Sequence, residues 1–157
     1  MRKIRFICVG KTQDAYIKEG IKAFEKKLKR FCIPSWVFVR EADYKTGQRQ
    51  QWMAEEAQRL SKVLIPRSYT IACDEKGDLF DSRKFADHLQ SIANSGYSQI
   101  DFIIGGPFGL PETIVNSSRT VLSLSPLTFT HQMVRIILME QVYRAFTIIR
   151  NIRYHHD

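Results

Sequence analysis

"DFIIGGPFGLPE", residues 101–112, decides how the chain is read. An apolar run from Ile100 to Ile104 has the length of a buried strand, and it stops at Gly105-Gly106-Pro107. Gly109 follows, then Pro111 and Glu112, where a short helix can begin because proline suits the first helical turn. A buried strand that opens into a loop almost without side chains leaves backbone that something can approach closely. Glycines also simply make turns, so G-G-x-x-G alone is weak evidence for a ligand.

Strand and helix patterns alternate on both sides of this stretch. "KIRFICV" (3–9), "WVFVR" (36–40), "SYTIACD" (68–74), "QIDFIIG" (99–105) and "TVLSLS" (120–125) read as strands. Residues 14–31 place Ile17, Ile21, Phe24, Leu28 and Phe31 at three- and four-residue spacing, which predicts an amphipathic helix. Residues 46–64, 82–95 and 131–150 read as further helices, with Pro34 after the first, Pro66 after the second, and Asp81 or Ser82 as N-cap of the third. Lys76-Gly77-Asp78 reads as a turn. The βαβα series predicts an α/β fold, a mostly parallel sheet flanked by helices on both faces. No repeat or linker divides the 157 residues, so a single domain over 1–157 is expected.

The last helix is apolar nearly all round. Val134, Leu138, Val142, Ala145, Phe146 and Ile149 make one face, while Met133, Ile136, Ile137, Tyr143 and Ile148 surround it. Such a helix must be covered on both sides. A two-fold homodimer through it is the expectation; a helix sandwiched inside one chain is the alternative.

Composition narrows the function classes. There are 24 basic against 16 acidic residues, a net charge of +8, which favours polyanionic partners and RNA or DNA first. No apolar run is long enough for a membrane span. The apolar start "MRKIRFICVGK" reads as a first strand and not a signal peptide. Cys8, Cys32 and Cys73 lack CxxC spacing and read as reduced thiols of a cytoplasmic protein, and no zinc pattern points to a metal.

Three segments carry candidate chemistry. The glycine loop lies at the carboxyl end of its strand, where open parallel sheets bind ligands. It fits a dinucleotide site badly: it follows the fourth strand, and no Asp or Glu lies between Glu112 and Glu140 to hold a ribose. "LSLSPLTFTHQMVR" (122–135) is a strand running through a loop into the last helix. Its backbone groups can read an adenine edge, while Thr128 or Thr130 can equally be the helix N-cap. The tail "RNIRYHHD" combines Arg150, Arg153, Tyr154, His155 and His156, which supply phosphate clamps, a stacking ring and titratable imidazoles. Its plainer reading is a frayed basic terminus. The lysines of the first helix, Lys18, Lys22, Lys26 and Lys29, read as a solvated face, with contact to phosphate as the alternative.

"IGGPFG", "LSPLTFTHQMVRIILMEQVYRA" and "YHHD" together, with "IRFICVGK" at the start, resemble the RlmH family of SPOUT-class RNA methyltransferases over nearly the whole chain. The resemblance implies a C-terminal trefoil knot, a homodimer, and methylation of N3 of a pseudouridine in large-subunit (23S) ribosomal RNA of the assembled ribosome. It implies S-adenosylmethionine as cofactor, held by Cys73, Gly105, Gly106, Leu124, Ser125, Pro126, Leu127, Thr128 and Phe129, the two glycines letting it lie against bare backbone. His155 is then the candidate for the proton and Tyr154 for holding the base. His131, Arg135, Arg144, Arg153 and His156 are candidates for contact with RNA or for shaping the pocket. The tail departs from the family: Ile152-Arg153 stand where His-Pro is usual, and His156 where Arg or Lys is usual. Competing readings are a non-catalytic RNA- or ribosome-binding protein of the same fold and, disfavoured by the missing acid, a nucleotide-dependent oxidoreductase.

Overall fold

The computed structural model describes residues 2–154. Five strands, β1 (Arg2–Val9), β2 (Cys32–Val39), β3 (Tyr69–Leu79), β4 (Gln99–Ile104) and β5 (Thr120–Ser123), alternate with five helices. The helices are α1 (Ala15–Leu28), α2 (Arg49–Val63), α3 (Ser82–Asn94), α4 (Glu112–Ser117) and α5 (His131–Ile149). The strands form one parallel sheet in the order β2-β1-β4-β3-β5. This is the expected α/β architecture, and the order is compatible with the knotted return that the resemblance implies.

Period-two alternation sorts the core into two layers. Ile4, Phe6 and Cys8 of β1 line up with Ile100, Phe102 and Ile104 of β4 under α1, α3 and α5. Ile7, Val9, Ile103 and Ala72 face the other way, under Leu60 of α2 and Ile114 of α4. Both faces of β1 and β4 are therefore covered, which is why these strands read as unbroken apolar runs.

α5 lies between α1 and α3, over β4. Every residue from His131 to Ile149 is buried or half-buried. α1, α3 and β4 cover part of the helix, while Met133, Ile136, Ile137, Ile148 and Ile149 stay only half-buried.

Two local readings are corrected. Pro34 lies inside β2 instead of ending the helix before it. β2 is an edge strand, the place where a proline's missing N–H does least harm to a sheet. Lys76-Gly77-Asp78 does not end its strand: β3 runs on to Leu79 through a bulge, its pairing with Leu122 passing from Cys73 to Asp78. At the amino end of the sheet, Arg5 donates to both carboxylate oxygens of Asp101, at 2.8 and 2.6 Å, with Ser68 and Gln99 donating at 2.6 and 3.0 Å.

Candidate functional site

The carboxyl ends of β3, β4 and β5 converge because of their register. Cys73 pairs with Ile104 on one side and Leu122 on the other. Gly105 follows β4 directly, and Leu124 follows β5, so Cys73, the glycine loop and residues 124–129 leave the sheet side by side. This is the edge where open parallel sheets hold ligands. Burial pushes the Cys73 thiol up, and nearby Cys8 and Asp74 add to the shift. It is a protonated wall group, not a nucleophile.

The glycine loop closes on itself. The amide of Gly109 donates to Gly106 O at 3.0 Å, and Gly109 takes φ +81°. A Cβ on Gly105 would lie 2.5 Å from Gly109 C and 2.7 Å from Leu110 N. The space beside Gly105 is therefore filled by the loop's own backbone, and the tight turn is reason enough for that glycine. A Cβ on Gly106 would meet Tyr44 Oη at 3.0 Å and Val9 Cγ1 at 3.1 Å. Both glycines therefore have a reason within the chain to lack a side chain.

Outside the loop stands an aromatic group. The rings of Tyr44, Trp52 and Phe108 are mutually 4.9–5.3 Å apart. Arg49 Nη2 donates to Phe108 O at 3.1 Å, and Tyr44 Oη donates to Glu56. Glu56 has no exposed surface, and burial raises its pKa. None of these residues was singled out from sequence. The available signal was a carboxylate at position 56, four residues from both Trp52 and Leu60 and so on the same helical stripe.

The loop after β5 is tied down at three points. Ser125 Oγ accepts from the Leu127 amide at 2.9 Å, Thr128 Oγ1 donates to Glu75 Oε2 at 3.1 Å, and Thr130 Oγ1 accepts from the Met133 amide at 3.2 Å. Thr130 is thus the N-cap of α5, and Thr128 links the loop to the bulged part of β3. Between these ties Leu127 is 73% and Phe129 36% exposed. Exposed apolar side chains beside loop backbone suit a flat adenosyl group, so the residues present fit the implied cofactor. Among the described residues no cluster of His, Cys, Asp or Glu is suited to a metal ion.

Two basic candidates sit at the start of α5. Arg135 is fully buried: Nη1 donates to Thr12 Oγ1 at 3.0 Å and Nη2 to Val9 O at 2.9 Å. It cannot grip an RNA phosphate from there; it shapes the pocket by holding the β1–α1 loop, and the phosphate role is corrected. His131 is half-buried, and burial, then Arg135, lowers its pKa against smaller opposing effects of Glu41 and Asp14. Its imidazole is neutral near pH 7.

The tail is elsewhere. Tyr154 Oη donates to Glu140 Oε1 at 3.1 Å, its ring meets Tyr143 edge-on at 4.8 Å, and the Arg144 guanidinium lies 4.9 Å from it. Burial and then Glu140 raise the Tyr154 pKa. Arg144 is also paired with Glu140. Glu140 lies about 15 Å along the helix from Thr130, at 1.5 Å per residue. Within one chain, then, neither Tyr154 nor Arg144 joins the loops around Gly105. Arg153 is exposed, and His155 and His156 lie outside the described residues.

Comparison with known proteins gives a consistent picture. A family model described as "Predicted SPOUT methyltransferase" matches residues 2–155. The chain is 41% identical to a Streptococcus equi subsp. zooepidemicus protein named Ribosomal RNA large subunit methyltransferase H, over 98% of this chain and 99% of that protein. It is 39% identical, with the same coverage, to a Trichlorobacter lovleyi protein of that name. Among solved structures, a probable methylase family protein from Haemophilus influenzae superposes with a TM-score of 0.57 over 98% of this chain and 70% of that one. A probable methyltransferase from Bordetella pertussis gives 0.57 over 90% and 95%. Both are 13% identical to this chain, so they speak for the fold alone.

Proposed function

Because the chain belongs to the SPOUT methyltransferase family, we propose that it transfers the methyl group of S-adenosylmethionine to N3 of a pseudouridine in large-subunit ribosomal RNA. The substrate is the assembled ribosome, and the site of action is the cytoplasm. The observation that carries this reading is likeness to the named ribosomal RNA methyltransferases from end to end, 41% identity over 98% of the chain. Convergence of three loops at the carboxyl edge of the sheet agrees with it.

Residues 1–157 act as one domain. Leu124–Phe129 would hold the adenosyl group, and Gly105, Gly106 and Cys73 would form the adjoining wall. The cofactor supplies an activated methyl on its sulfonium, a chemistry that requires no metal. The chain must hold the imide nitrogen in line with that methyl and manage its proton. Alignment is the larger contribution, because fixing two reactants in attack geometry can lower a barrier by roughly 7–11 kcal/mol. A positioned base adds about 10²–10⁴-fold. His155 takes the proton and Tyr154 holds the base. In its own chain Tyr154 is bonded to Glu140, so these groups come from a second copy in a two-fold dimer through α5, whose Ile137 and Ile148 remain half-buried. Arg144, Arg153 and His156 face RNA phosphate, His131 contributes a neutral imidazole, and Arg135 shapes the pocket.

The test is transfer of labelled methyl from S-adenosylmethionine to ribosomes lacking the modification, with mass spectrometry of the nucleosides. N3-methylpseudouridine in large-subunit RNA is expected. Cofactor binding without transfer overturns the RNA target, and absence of cofactor binding overturns the catalytic reading. Full turnover by both His155→Ala and Tyr154→Phe overturns their roles, and a monomeric mass by light scattering at micromolar concentration overturns the dimer.

A further inference from the structure

We propose that Tyr44 is a positioning residue for the cofactor loop, holding Gly106 and Phe108 from the side of α2 with the buried Glu56 as its anchor. The inference rests on reading Gly105-Gly106 as part of the cofactor site.

Tyr44 lies in the connection between β2 and α2, and its hydroxyl does two things. It donates to Glu56 Oε1, and it stands 3.0 Å from where a Cβ on Gly106 would be. Its ring meets Phe108 edge-on at 4.9 Å and Trp52 at 5.3 Å. Trp52 is itself fixed, donating from Nε1 to Thr46 O at 2.6 Å. Arg49 then bonds the carbonyl of Phe108. The loop's own hydrogen bond joins Gly106 to Gly109, so Phe108 at its tip depends on this outside grip.

Glu56 shows why the arrangement is more than packing. A buried carboxylate is costly unless well paired. Here Oε1 accepts from the neutral Tyr44 hydroxyl and, at 3.3 Å, from the Ala42 amide, while Oε2 has no partner among the described residues. Leu60, one turn along the same stripe, shows what packing alone selects at such a position. A group that fills the core poorly but fixes one hydroxyl against a ligand loop is the support expected behind a preorganised site.

The experiment measures cofactor binding by titration calorimetry and amide exchange over residues 106–110. It uses the wild-type protein, Tyr44→Phe, Glu56→Gln and Ile92→Val, the last a buried residue of α3 remote from the loop, as a stability-matched control. Tyr44→Phe keeps the ring and loses the hydroxyl, so S-adenosylmethionine binds about tenfold more weakly and the loop amides exchange faster. Glu56→Gln keeps an acceptor for Tyr44, so it weakens binding by less than Tyr44→Phe does. The proposal is overturned if Tyr44→Phe matches wild type in affinity and exchange, or if Ile92→Val weakens binding equally. Should Tyr44→Phe fail to fold, Trp52→Phe loses the bond to Thr46 and keeps a ring; unchanged binding and exchange in it overturn the proposal as well. A wild-type protein that binds no cofactor sinks the parent reading instead, and the loop exchange of Tyr44→Phe still decides whether Tyr44 holds the loop.

Discussion

Asp101 and Glu56 are both carboxylates without exposed surface, and they serve opposite ends of the sheet. Asp101, toward the amino end, is met by a bidentate arginine, a hydroxyl and an amide. Glu56, toward the carboxyl end, has a phenol, one long amide contact and an oxygen left over. The Nε of Arg135, also at the carboxyl end, is buried and unpartnered too. Unpartnered buried atoms are not confined to that end, since Arg2 Nε at the start of β1 is another, so the contrast lies between the two carboxylates themselves. The fully paired carboxylate is placed to carry stability, and the under-paired one stands beside the loops of the candidate site.

The largest effect expected of this contrast is on Asp101. Asp101→Ala strands the largely buried Arg5 and should cost about 3–5 kcal/mol in urea unfolding. A loss below about 1 kcal/mol, the value of an ordinary surface pair, would erase the contrast. Gly105→Ala tests the other end, because its Cβ has only backbone to displace. Methyl transfer should fall roughly 10²-fold, as a misplaced site does, and an unchanged rate would place the loop outside the chemistry.

Thr130→Ala removes the N-cap of α5 and should cost about 1 kcal/mol in thermal unfolding. A larger cost would show that the loop after β5 belongs to the stable part of the fold.

Glu56→Gln should have the smallest effect, visible as a dependence on pH. Burial holds the folded-state pKa of Glu56 above its unfolded value. Its contribution to stability is therefore fully present below the unfolded pKa and is lost as pH rises through the raised one. Glutamine undergoes no such loss, so the variant should gain melting temperature relative to wild type as pH rises from about 4, the unfolded carboxyl range, toward neutrality. A difference that stays constant across that range would mean Glu56 titrates as an ordinary exposed carboxyl.

The fold was legible because its signals are local. Strand runs and helical spacing located all ten elements, and Asp81 caps α3, accepting from the Lys84 amide at 2.8 Å. The errors came where a neighbouring strand decides. Pro34 is acceptable because β2 is an edge strand among the described residues, and residues 76–78 continue β3 because β5 lies beside them. The site was partly legible: Cys73, Gly105 and the segment after Leu124 do meet at one edge. Arg135 looked like a surface cation because its partners, Val9 and Thr12, lie more than 120 residues earlier. Tyr44 and Glu56 were missed for the same reason, since nothing in their own segments tells that Gly106 lies against the Tyr44 hydroxyl that Glu56 holds.

The ties between α5 and the β1–α1 loop also set an order in time. Gln132 bonds Lys11 O and the Gln13 amide, and Arg135 bonds Val9 O and Thr12. The β1–α1 loop thus waits for α5, 119 or more residues later, to be translated. Contacts this distant in sequence slow folding, because the intervening chain must be ordered before they form. A nascent chain stalled before residue 131 would hold a sheet with α1 and α3 on one face and a bare strip between them, the kind of exposed apolar surface that chaperones guard. For this fold, the arrival of α5 and the completion of the carboxyl end of the sheet are one event.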